Sequence, residues 1–177
     1  VKKLAQIFLQ KGEYNMPDML VKLYELPYDK TLFDNLEKEN ISVRRAKAPE
    51  KNYVVGWIQE KFGDYWASES DIAFSRSPIS CFIAIDTAKN QIVGFACYDT
   101  TCKDFFGPMG VDENYRGKDI GKALLLISLK GMWDIGYAYA IIGSAGPVKF
   151  YEKVVNAIPI ENSVPGIYKG IFRKNNP

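Results

Sequence analysis

At about 150 residues per domain, a chain of 177 residues is sized for one domain or one domain with an appendage. Apolar residues at 47% and charged residues at 25% exclude a disordered chain, and 23 basic against 21 acidic residues, with no basic cluster, argue against a nucleic-acid or polyanion binder. The absence of histidine removes every Ser/His/Asp and Cys/His nucleophile system and leaves proton transfer to Asp, Glu, Tyr, Lys, Cys or water.

The opening stretch VKKLAQIFLQKGEY has too short an apolar run and no small-residue cleavage site for a secretory signal. No run in the chain approaches the ~18 residues of a membrane span, so a cytoplasmic protein without a membrane partner is expected. Residues 1–40 read as a separate preamble, an N-terminal extension packed on the core. It holds an apolar-periodic piece from Val1 to Gln10, a strand from Met19 to Leu26, and a helix from about Thr31 to Glu39 that Asn40 stops. From Ile41 to residue 177 the pattern becomes that of a regular domain. The strand ISVRRA leads into a helix opened by Pro49 and closed by Gly63, with Val54, Val55, Ile58 and Phe62 on its apolar face.

SCFIAID, the polar turn DTAKN and QIVGFACYD predict a hairpin. Its Cys81 and Cys97, with Cys102 beyond, are too few for a four-thiolate zinc site and read as free thiols, so no metal is expected. Phe105 to Val111 predicts a third strand of the meander, in which Gly107, Pro108 and Gly110 mark a bulge where pairing breaks. IGKALLLISLKGMW is apolar almost all round, the pattern of a helix covered on both sides, and the buried strand YAYAII follows it. Gly146 and Pro147 open a short helix to about Val155, and IPIEN, VPG and IYKGIFR predict a closing hairpin with a Pro-Gly turn.

The segment that carries chemistry is GVDENYRGKDIGKALL, residues 110–125, where a strand ends, a polar turn follows and an apolar helix begins. Such a turn aims consecutive backbone N–H groups and the positive end of the helix dipole at one point, which makes an anion site. Arg116, Lys118 and Lys122 add positive charge, and Gly117 and Gly121 remove side chains that would hold a phosphate off the backbone. On residue types alone, the same segment also serves as a plain strand-to-helix turn with solvated lysines.

This segment resembles the acyl-CoA-binding motif of the GNAT superfamily of N-acetyltransferases. There a valine-ending strand is followed by Arg or Gln, two residues, Gly, one residue, Gly or Ala, and an aliphatic helix. The corresponding positions here are Val111, Arg116, Asp119, Ile120 and Gly121, then Lys122, Ala123, Leu124 and Leu125. Asp119 departs from the family's first glycine. Phe150, Tyr151, Glu152 and Lys153 match a second signature, an aromatic pair and Tyr-Glu-Lys on the helix after the next strand.

The resemblance implies an α/β (mixed α+β) fold with a mostly antiparallel central sheet, splayed between strands four and five as counted from Ile41, and helices on both faces. It implies acetyl-CoA as acetyl donor, its pantetheine arm on the backbone of Met109 and Val111 beside Ser144 and Phe150. The pyrophosphate falls to the N–H groups of Arg116, Gly117, Lys118, Asp119, Ile120, Gly121 and Lys122. Val111 N–H would polarise the thioester carbonyl and Tyr151 would protonate the departing thiolate, in a direct transfer to a primary amine of a small molecule by a monomer or homodimer. The acceptor candidates are Tyr65, Trp66, Glu69 and Asp71. They lie in the stretch from Gly63 to Ser75, where the family places an acceptor-lining loop and where three acids and no base would suit a cationic amine. The spacing leaves the general base open. Two other readings stand beside this one: a non-catalytic acyl-CoA sensor, and a nucleotide phosphate binder, which lacks the Gly-Lys-Ser/Thr ending that such proteins use.

Overall fold

Residues 16–27 and 29–172 are described by the computed structural model. Seven strands form one sheet: β1 (Met19–Lys22), β2 (Ile41–Arg45), β3 (Cys81–Asp86), β4 (Gln91–Tyr98), β5 (Phe105–Val111), β6 (Tyr139–Ile142) and β7 (Ile158–Pro159). Their order is β2-β3-β4-β5-β6-β1-β7, antiparallel throughout except for the parallel pair β5–β6. The helices are α1 (Lys30–Lys38), α2 (Lys51–Phe62), α3 (Asp64–Ala73), α4 (Ile120–Asp134) and α5 (Val148–Val155).

Period-two patterning along the strands sorts the core into two layers. In β3, Phe82 and Ala84 join one cluster with α1, α4 and α5, whereas Cys81, Ile83 and Ile85 join the other with α2 and α3. The sheet is therefore covered on both faces, as expected of a mixed α+β fold of this type. The first layer is built around α4, whose Leu124, Leu125, Leu129 and Met132 are fully buried. Packing on it is tight at Gly94 and Gly131, where an added Cβ would stand 2.9 Å from Leu124 and 3.2 Å from Phe82 respectively. In the second layer Trp57, Phe62, Trp66 and Phe95 pack ring against ring with centroids 5.3–6.3 Å apart.

Helix ends follow the local chemistry. Asp29 accepts from Leu32 N–H at 3.1 Å and starts α1, and Asn40 turns left-handed just past its end. Pro49 sits in a short 3-10 turn ahead of α2, and Gly63, at φ 95°, separates α2 from α3.

Three expectations are corrected. The stretch from Gly63 to Ser75 is helix α3 over Asp64–Ala73 and not a loop: Asp64 supplies an acid to its first turn, and Ala67, Ser70 and Ala73 bury one face. The first strand stops at Lys22: Leu23 N–H still bonds Ala138 C=O in register, but the chain turns there into a 3-10 turn over Leu23–Glu25. The closing hairpin does not form among the described residues. β7 has two residues and pairs with β1; Pro159 has no N–H to lend, and Gly166–Tyr168 is a 3-10 turn. The stretch read as a preamble supplies β1, which lies inside the sheet with Met19 and Val21 fully buried. Val1 to Gln10 lies outside the described residues.

Candidate active site

β5 and β6 touch only where the first two residues of β5 meet the last two of β6, Phe105 pairing with Ile141 and Phe106 with Ile142. The register of β5 on β4 explains why they part. Ala96 pairs with Met109 and Tyr98 with Phe106, so Gly107 and Pro108 together oppose the single residue Cys97. This is the bulge expected from the sequence, and Thr100 secures it by donating its hydroxyl to Gly107 C=O at 2.9 Å.

Hydrogen-bond alternation then decides which way β5 faces. Asp112 N–H bonds Val93 C=O at 2.9 Å, so the next bonded pair along the ladder is Phe95 with Gly110. Met109 and Val111 fall on non-bonded positions and turn their backbone N–H and C=O away from β4, toward the split. Gly110 has no side chain because the Phe62 ring fills that space, where an added Cβ would stand 2.6 Å from it.

The turn after β5 is anchored by Tyr115, which is buried, donates to Asp86 at 2.6 Å, and lies within hydrogen-bond distance of Lys89 and Gln91. Arg116, Gly117, Lys118 and Asp119 follow on the surface, and α4 begins at Ile120, which is buried. Gly117 has φ 77° and Asp119 φ 58°, so Asp119 holds the left-handed backbone that glycine adopts most readily, and its carboxylate caps no N–H of α4. An added Cβ at Gly121 would make only ordinary contact with Val111, at 3.7 Å, and one at Gly117 would meet nothing within 4 Å. The backbone of Gly117 already favours glycine, but neither packing nor conformation demands a bare backbone at Gly121, whereas a phosphate approaching these N–H groups would. The Lys122 ammonium is 2.7 Å from Asp29 and holds that carboxyl below its ordinary range. Arg116 and Lys118 are the cations left to face an anion, with Lys118 Nζ 5.8 Å from the Tyr115 ring centre.

On the other side of the split, Ser144 N–H donates to Asp18 at 2.8 Å and Ala145 N–H to Pro17 C=O at 2.9 Å, which fixes the turn into α5. Ser144 is left-handed at φ 45°, and its Oγ is buried without a partner among the described residues. Tyr151, 6% exposed, joins the apolar cluster against which Met109, Val111 and Phe150 pack. Burial pushes its phenol well above the ordinary tyrosine value, so Oη keeps its proton.

The acceptor candidates are not gathered at one place. Tyr65 is exposed, Trp66 is packed on Phe62 and Phe95, and Asp71 pairs with Lys51 at 3.0 Å. Glu69 is the exception: it is half-buried, accepts from the Thr101 hydroxyl, and is raised in pKa by burial, an effect that bond partly offsets. Thr101 adjoins Thr100, so Glu69 reaches the bulge through two consecutive residues. Asp18, Thr100 and Tyr115 carry no local signal in the sequence, because each works through a partner seven to 126 positions away.

Residues 77–154 match the family model of the acetyltransferase (GNAT) domain. The chain carries the GNAT fold. Solved structures similar to it include a glucosamine N-acetyltransferase region of a fungal multi-domain β-N-acetylglucosaminidase, with TM-score 0.66 and 16% identity over 90% of this chain and 22% of that one. A GCN5-related N-acetyltransferase from Sphaerobacter thermophilus gives 0.57 and 16% over 90% and 54%. A GNAT acetyltransferase from Brucella melitensis, in complex with acetyl-CoA, gives 0.50 and 14% over 65% and 81%. The chain spans about a fifth to a half of the length of the first three solved structures it matches. No curated protein matches it in sequence. No helix among the described residues is long and apolar enough to cross a membrane.

Proposed function

We propose that the protein is an acetyl-CoA-dependent N-acetyltransferase that acts on a primary amine of a small molecule. The observation that carries this reading is the split itself: the backbone of Met109 and Val111 is turned into it, and the N-terminus of α4 stands at its open end with Gly121, a glycine that packing does not require. Acetyl-CoA, when bound, supplies an activated acetyl thioester. The chain's own part is to hold and orient. The N–H groups from Arg116 to Lys122 and the cations Arg116 and Lys118 take the pyrophosphate, Ser144 Oγ spends its unused bond on the pantetheine arm, and Val111 N–H meets the thioester oxygen. A donor so placed is worth roughly 100- to 1,000-fold in rate. Tyr151 Oη holds the proton that the departing thiolate takes.

Glu69 is the carboxylate best placed to draw an ammonium and receive its proton, because its charge is not spent on a basic side chain. The glucosamine N-acetyltransferase region among the similar structures supports an amine acceptor of this size.

The test is a thermal shift with acetyl-CoA against ATP, followed by thiol release across small amines, amino sugars, polyamines and peptide N-termini. Acetyl-CoA at 100 times its Kd should add about 2.7 kcal/mol of stability. Equal shifts with ATP would overturn the assignment, and binding without thiol release for any amine would favour a sensor.

A further inference from the structure

Beyond the split, at the C-terminal end of α4, a cavity of about 440 Å³ opens between the end of β4, the entry to β3 and the turn at Ile135 and Tyr137. Fifteen residues of α4 at ~1.5 Å each separate it from the anion turn, a distance of about 22 Å. Its polar groups are unevenly spent. Asp99 is the only acid among the described residues that lines it, and both carboxylate oxygens are engaged: one accepts from Asp104 N–H at 3.0 Å and the other from Tyr137 O–H at 2.9 Å.

The donors, by contrast, are largely unspent. Arg76 is held by its Nε, which donates to Asp99 C=O at 3.0 Å, so both terminal nitrogens are left without partners among the described residues. Lys103 Nζ has none either. Ser80 is 1% exposed, and its Oγ is buried with no hydrogen bond among the described residues. Tyr98 Oη accepts from Arg45 at 3.1 Å, while its own hydrogen finds no acceptor among the described residues.

We propose that this cavity is a second ligand site and that it takes a small phosphate monoester. Two cations outweigh the one satisfied carboxylate, and the groups open to a ligand are the guanidinium fork of Arg76 and the ammonium of Lys103, both on exposed residues. A carboxylate offers two oxygens to such a set; a phosphate monoester offers three and a second charge. A volume in the range of small-molecule pockets leaves room for the organic remainder. The proposal does not depend on the acetyltransferase reading.

Glycerol 3-phosphate and propionate, titrated calorimetrically into the intact protein with and without CoA, test it. Glycerol 3-phosphate should bind saturably in both conditions and more tightly than propionate. Arg76→Ala should weaken it roughly 10- to 100-fold, the scale of a lost charged hydrogen bond. Lys103→Ala, which removes the ammonium, should weaken it several-fold. Lys118→Ala, at the other end of α4, should leave glycerol 3-phosphate binding unchanged. The site is refuted if glycerol 3-phosphate fails to saturate, if Arg76→Ala binds like wild type, or if Lys118→Ala or added CoA abolishes binding, which would place the anion in the turn before α4. Equal affinity for propionate would overturn the phosphate class.

Discussion

Replacing Asp119 by glycine restores the motif residue, and the backbone states what should follow. Asp119 lies at φ 58°, ψ 8°, a left-handed conformation that costs an ordinary residue about 1–2 kcal/mol and Asp somewhat less. Glycine relieves that strain but gives back about 0.5–1 kcal/mol through the extra freedom it loses on folding. The two effects nearly cancel, and no hydrogen bond is lost because the carboxylate caps nothing. The melting temperature of Asp119→Gly should therefore stay within about 2 °C of wild type. Binding should change more. A carboxylate about 4 Å from a phosphate repels it by ~1 kcal/mol in water and ~4 kcal/mol at an effective dielectric of 20. Asp119 is exposed, which favours the lower figure, so CoA should bind about fivefold more tightly by calorimetry at low salt. The gain should shrink as salt screens the charge. Asp119→Asn, which keeps a left-handed-tolerant side chain and removes the charge, should reproduce most of it. Weaker binding in the glycine variant, or a gain indifferent to salt and absent from the asparagine variant, would show that the backbone and not the charge governs this turn.

Tyr151→Phe should lower thiol release at least ~100-fold while KM for acetyl-CoA and the melting temperature hold, because the ring stays and the lost hydroxyl has no partner among the described residues; turnover within a few-fold of wild type would move the proton donor elsewhere. Glu69→Gln should raise KM for the amine several-fold, whereas Asp71→Asn, whose charge is already paired with Lys51, should do little; equal effects would return Glu69 to the status of a surface acid. Arg44, bonded to both oxygens of Glu50, holds that carboxyl down to about 2 from 4.5. The folded state thus binds this proton more weakly than the unfolded chain, and the stability it contributes is present above about pH 4.5 and lost as pH falls toward 2. Arg44→Gln should accordingly flatten the fall in melting temperature between pH 6 and pH 3, and an undiminished fall would assign it to other groups.

What could be read in the sequence was what is written locally. Alternation in SCFIAID and QIVGFACYD, the all-round apolarity of IGKALLLISLKGMW and the Gly107-Pro108 interruption each report the burial of a residue's own neighbourhood, and each element formed. The segment after Gly63 failed for a related reason. Its buried face is made of Ala67, Ser70 and Ala73, small residues that give almost no hydrophobic signal at helical spacing, so its acids dominated the reading. Lys122 illustrates a different limit. Its position in the motif is that of a phosphate contact, but Asp29, 93 residues earlier, caps α1 and occupies the ammonium. Pairing across such separations leaves no trace in local pattern, and the same holds for β1, whose partners β6 and β7 lie near the other end of the chain.

The placement of β1 ties the first described residues to the candidate chemistry. In a sheet split between β5 and β6, the outer limb would be a short strand with one free edge, and strands of four residues gain little stability alone. β1 covers that edge of β6 from Met19 to Lys22, and the residues that lead into it do further work. Pro17 C=O accepts Ala145 N–H, Asp18 accepts Ser144 N–H and donates its own N–H to Ser163, and Ile160 N–H closes on Asp18 C=O. One buried aspartate thus gathers the start of β1, the turn from β6 into α5 and the segment after β7. That turn holds Ser144 with its unpaired hydroxyl, and it sets the start of the helix from which Tyr151 projects into the core. The two limbs of the split are therefore held by different means, β5 by its ladder to β4 and the Thr100 bond at the bulge, and β6 by a strand from the opposite end of the chain. The side of the split that carries the proposed acid depends for its position on residues that the motif does not contain.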